Sequence, residues 1–75
     1  MMKLYTKTIC PKCLWVKSEL DAANLEVEVI NIDQDETAKQ KIIDAGFLSV
    51  PLFEINGEFI AEPTSIIDRI SEMTA

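Results

Sequence analysis

A chain of 75 residues has room for one small domain, spanning 1–75, and its 48% apolar and 27% charged content with only two glycines and three prolines excludes linker or low-complexity character. A net charge of −6 argues against nucleic-acid binding. The opening "MMKLYTK" lacks the apolar run of a signal peptide, and no window nears the ~18 apolar residues of a membrane span; the expected state is a cytoplasmic monomer without membrane association.

The elements follow in chain order. "MKLYT", residues 2–6, is a short apolar and aromatic run that predicts a strand. From Pro11, Leu14, Trp15, Val16, Leu20 and Ala23 recur at helical spacing, predicting a helix over 11–23 that closes near Asn24. Proline suits the first helical position, where its missing N–H would be unpaired anyway. "LEVEVINI", residues 25–32, alternates and then turns apolar, the pattern of a strand that ends buried. Asp33 or Asp35 caps the next helix, which carries Ile42 and Ile43 and stops at Gly46. "VPLFEI" and "EFIA" are strands joined by Asn56-Gly57, the strongest short-range hairpin signal. Pro63 opens a last helix carrying Ile66, Ile67, Ile70 and Met73. The order β-α-β-α-β-β-α implies an α/β domain: a crossover helix makes one parallel pair and the hairpin adds antiparallel strands, giving a four-stranded mixed sheet flanked by three helices.

Both cysteines fall in "YTKTICPKCLW", residues 5–15. Cys10 stands at the start of the first helix, where unpaired N–H groups and the helix dipole favour a negative charge. Lys7 and Lys12 are close in sequence and add to that field. Residues 1–18 hold four lysines and no acid, whereas all 13 acids share the remaining chain with Lys39, Lys41 and Arg69, a split of +4 against −10. Such a site favours the thiolate, the nucleophilic form of cysteine. Cys13, three residues on, shares a helical face with Cys10. The pair therefore suits two-step exchange: Cys10 attacks a target disulfide, and Cys13 resolves the mixed disulfide.

Other readings compete. A zinc site needs about four ligands, and a chain with two cysteines and no histidine requires carboxylates or a partner chain to supply them. The binding-class alternative is thus a metal or iron–sulfur carrier using Cys10 and Cys13 between two chains. A purely structural cross-link closing so short a loop stabilises little. "DQDETA", residues 33–38, lacks the glycine and glutamate of a calcium loop, and without histidine there is no Cys-His hydrolase.

"YTKTICPKC" resembles the glutaredoxin active-site segment, a strand followed by Lys-x-x-Cys-Pro-x-Cys. "SVPLFEINGEFIAEPTSI", residues 49–66, resembles that family's Thr-Val-Pro strand, hairpin and final helix, so the likeness covers nearly the whole chain. It implies a thioredoxin-like fold and a dithiol–disulfide oxidoreductase that reduces protein or glutathione mixed disulfides through Cys-Pro-Lys-Cys, with no bound cofactor or metal. Cys10 is then the nucleophile and Cys13 the resolving thiol, with Pro11 and Lys12 between them at the substrate surface. The resemblance makes Pro51 a cis proline opposite the cysteines, turning the backbone of Val50 to pair with an extended peptide or glutathione; from the residues alone, a trans proline opening a strand is the simpler reading. Lys7 would hold a glutathione carboxylate. The loop after the hairpin usually reads Gly-Gly-x-Asp-Asp in glutathione-using members; here it is Ala61, Glu62, Pro63, Thr64 and Ser65, with Glu62 where a carboxylate should dock and the hydroxyls of Thr64 and Ser65 as donors. A related subgroup takes electrons from thioredoxin reductase and passes them to ribonucleotide reductase. "FIAEPTSII" shares that subgroup's helix-opening proline but not its aromatic-Ser-Gly-Phe approach. Implied electron sources are glutathione or thioredoxin reductase; implied targets are disulfide-containing proteins, ribonucleotide reductase among them.

Overall fold

The structure, a computed structural model, describes residues 2–74. Seven elements follow in the expected order: β1 Met2–Thr6, α1 Pro11–Ala22, β2 Glu28–Asn31, α2 Glu36–Asp44, β3 Leu52–Ile55, β4 Glu58–Ile60 and α3 Pro63–Thr74. The sheet order is β2-β1-β3-β4. β1 and β2 run parallel with Tyr5 opposite Ile30; β1 and β3 run antiparallel with Leu4 opposite Phe53; β3 and β4 form the hairpin. β2 is shorter than its apolar pattern suggests, because residues 25–27 carry the chain up from α1 before pairing begins. Buried Ile32 continues the pairing by one bond, its N–H donating to the Thr6 carbonyl at 2.9 Å.

Alternation along the central strands sorts the core onto two faces. Leu4, Phe53 and Ile55 point to one face and pack with Val16 and Leu20 of α1 and Ile66 and Ile70 of α3. Tyr5 and Leu52 point to the other and pack with Ala38 and Ile42 of α2. The apolar face of α1 is not the whole run expected. Cys13, Val16 and Leu20 are buried, whereas Leu14 and Trp15 are 68% and 47% exposed. Residues 13–16 are all apolar, and a helix turns only one side of such a run inward.

The helix ends follow local chemistry. α1 closes with Asn24 at φ 56°, its N–H donating to Asp21 O and that of Leu25 to Leu20 O. α2 closes the same way, Gly46 at φ 95° donating to Ile43 O and Phe47 to Ile42 O. Both are Schellman closures, which need a left-handed residue just past the cap. Asp35, not Asp33, caps α2, accepting the Ala38 N–H at 3.0 Å. After α2 the chain is held by Phe47, whose ring lies 5.2 Å from that of Phe59 on β4. The segment 48–50 thereby arrives beside the loop that carries Cys10. Among the described residues no helix is long and apolar enough to cross a membrane.

Candidate active site

β1 delivers the loop 7–10 to the C-terminal end of the sheet, and α1 starts from it. Cys10 is the N-cap of α1, in extended backbone at φ −154°, ψ 92°, and its sulfur accepts the Cys13 backbone N–H at 3.1 Å. Pro11 at the first helical position sets the geometry in which that N–H points back at the sulfur. Cys13 lies one turn further, 3% exposed, while Cys10 is half-buried and reachable. The two sulfurs are joined in a disulfide, with Cα atoms 5.2 Å apart. A sulfur at this place faces the unpaired donors and partial positive charge of a helix start.

The loop around Cys10 is tied to the end of β2. Thr8 N–H donates to Asp33 Oδ2 at 3.0 Å, Asn31 Nδ2 donates to Thr8 Oγ1 at 3.2 Å, and Asp33 N–H donates to Asn31 Oδ1 at 2.9 Å. The Thr8 N–H first, then its hydroxyl and the charges of Lys7 and Lys39, hold the Asp33 carboxyl below the ordinary carboxylate range. Sequence reasoning missed this tie. Its only signal is a run of polar residues on either side of a strand end.

Two grooves meet at Cys10. One, about 280 Å³, runs along the β2 side between Lys7, Lys17, Leu14 and Asn31. The other, about 390 Å³, lies between Ile9, Pro11 and Lys12 on one wall and Leu48, Ser49 and Val50 on the other. The Val50–Pro51 peptide bond is cis, the isomer implied by the resemblance and not the one favoured by the residues alone. Pro51 itself is fully buried beneath that wall. Lys7, Pro11, Lys12 and Val50 are thus brought together with Cys10. Thr64 and Ser65, in the exposed first turn of α3, line neither groove. A larger cleft, about 690 Å³, lies at the opposite end of the sheet beside Met2, Glu26 and Glu28, remote from the sulfurs. Its size carries less weight than the cysteine pair in the smaller grooves. Among the described residues no cluster of three or more His, Cys, Asp or Glu is placed to hold a metal.

Comparison with known proteins agrees with this geometry. The glutaredoxin family model matches residues 2–60. The glutaredoxin-like protein NrdH of Lactococcus lactis subsp. lactis is 33% identical over 52 residues, covering 69% of this chain and 72% of that protein. The thioredoxin of Methanocaldococcus jannaschii is 37% identical over 71 residues, covering 84% of this chain and 80% of that protein. Among solved structures, the thioredoxin-like protein BC3987 mutant T8A superposes with a TM-score of 0.86 at 25% identity, covering all of both chains.

Proposed function

The chain belongs to the glutaredoxin family, and from that premise we propose that it is a dithiol–disulfide oxidoreductase, an electron carrier that reduces protein disulfides through Cys10 and Cys13. The observation that carries this reading is the Cys10 sulfur at the N-cap of α1, accepting the Cys13 N–H, with the second sulfur buried one turn behind it.

The exchange proceeds in two displacements. In the reduced protein the Cys10 thiolate attacks one sulfur of a target disulfide; a Cys10–target S–S bond forms, and the other target sulfur leaves as a thiolate that takes up a proton. Cys13 then gives up its thiol proton and attacks the Cys10 sulfur. The Cys10–Cys13 bond forms, and the remaining target sulfur leaves as a thiolate and is protonated. Two electrons have passed from the cysteine pair to the target. The disulfide seen here is the end state of that cycle. Burial of Cys13 keeps it from competing for the target's disulfide, and its single-turn separation keeps it within reach of Cys10.

The electron source we assign is a thioredoxin reductase in preference to glutathione. Glu62 stands in place of a glycine where a glutathione carboxylate would dock, and Thr64 and Ser65 line neither groove at Cys10. The relatives named NrdH and thioredoxin support the same choice, and ribonucleotide reductase is the target we propose by that likeness. The test is reoxidation-coupled NADPH consumption. Thioredoxin reductase should sustain it at least about tenfold faster than glutathione with its reductase; the reverse order would overturn the assignment. Cys13→Ser should accumulate a Cys10–target adduct visible by mass spectrometry, and its absence would refute the two-step route.

A further inference from the structure

The surface around Cys10 is sorted by charge against the composition of the chain. The protein has 13 acids and seven bases, yet among the described residues the two grooves at Cys10 are framed by Lys7, Lys12 and Lys17 and by no Asp or Glu. The cleft at the opposite end of the sheet carries Glu26 and Glu28. Asp33 lines a third depression with Lys7 and Lys39, and its carboxylate is engaged by the Thr8 N–H.

The same surface presents apolar side chains that stand exposed among the described residues. Ile9 and Leu48 stand on opposing walls of the groove beside Cys10 and are 88% and 84% exposed. Leu14 stands at the other groove. Together they form an apolar strip crossed by the sulfur and edged by ammonium groups, the form of a protein-docking surface.

We infer that the occupant of this surface is an acidic segment of a protein partner, carrying its disulfide between carboxylates and beside an apolar side chain. This deepens the oxidoreductase reading and rests on it, since the segment is selected by being the one whose disulfide Cys10 attacks. Carboxylates flanking the target sulfur meet Lys12 on one side of Cys10 and Lys17 on the other, and Lys7 borders both grooves. The apolar side chain between them enters the gap between Ile9 and Leu48. Attraction steers the encounter and orients the segment across the sulfur. A basic segment meets like charge at each of these positions, and a strongly charged polyanion is repelled by the rest of a molecule of net charge −6.

The experiment uses the fully reduced protein and three synthetic disulfide-bridged peptides of equal length, each with leucine beside the attacked cysteine. The flanking residues are acidic, uncharged or basic. Initial rates of peptide reduction are followed by chromatography at low and high salt. The acidic peptide is expected to react at least ~10-fold faster than the basic one at low salt. The ratio should fall toward one at about 1 M salt, where screening acts within a few ångströms. The double variant Lys12→Glu/Lys17→Glu should invert the order; if it fails to fold, the wild-type ratio and its salt dependence still decide. Equal rates for the acidic and basic peptides, with the uncharged one reduced, would overturn this inference and leave the oxidoreductase reading standing. Failure to reduce any of the three would overturn both.

Discussion

Glu54 illustrates how single residues set the pH response. Its carboxylate accepts the Tyr5 hydroxyl at 2.7 Å and the Lys41 ammonium at 3.1 Å. The Tyr5 bond first, and Lys41 after it, hold the Glu54 carboxyl below its ordinary value, while burial and then Glu54 push the Tyr5 hydroxyl up. A depressed carboxyl contributes stability above its unfolded value, and that contribution is lost as pH falls through the folded value. Asp33 is shifted in the same direction by Thr8. Thermal stability should therefore drop as pH falls below ~4.3, the ordinary glutamate value, and Glu54→Gln should flatten that acid limb. At neutral pH Tyr5→Phe should cost about 0.5–1.5 kcal/mol by urea denaturation, because Glu54 keeps its second partner. At this scale the placement of Cys10 at a helix start with Cys13 one turn behind it was legible from spacing alone, since a helix start and i, i+3 proximity are local facts. The choice between Asp33 and Asp35 as cap was not, because the Thr8 N–H that engages Asp33 belongs to a loop 25 residues away.

At the scale of elements, turn chemistry did most of the placing. Asn56 at φ 49° and Gly57 at φ 84° form the two-residue turn in which both central residues are left-handed. A Cβ on Gly57 would meet nothing within 4 Å, so its substitution tests backbone conformation without steric conflict. Gly57→Ala should destabilise by about 1–2 kcal/mol in urea denaturation, the cost of holding an L-residue left-handed. A change near zero would mean that the turn relaxes to another type. Asn24 and Gly46 close their helices by the same logic, which is why both ends were readable. The face of α1 was not. Apolar residues at 13–16 satisfy helical spacing on more than one side, and only the positions of the sheet and α3 turn Cys13, Val16 and Leu20 inward and leave Leu14 at the site.

Over the whole molecule, a sheet covered on both faces leaves little redundancy in so short a chain. Ile66 of α3 is fully buried against α1 and the sheet. Ile66→Ala should cost about 2–5 kcal/mol, a large share of the ~5–15 kcal/mol that holds a small domain folded. Its denaturation midpoint should fall markedly; a loss under about 1 kcal/mol would show that the cavity closes by repacking. By itself the sequence determined the element order, the hairpin, the closures of α1 and α2 and the seating of Cys10 and Cys13 at a helix start, because each rests on contacts within a few residues, where spacing and backbone preference suffice. Only the tertiary structure decided that Pro51 lies buried beneath the groove wall, that Ile9, Leu14 and Leu48 gather around one sulfur, and that Thr64 and Ser65 line neither groove. These depend on which distant segments the sheet order β2-β1-β3-β4 brings side by side, and no local preference encodes that.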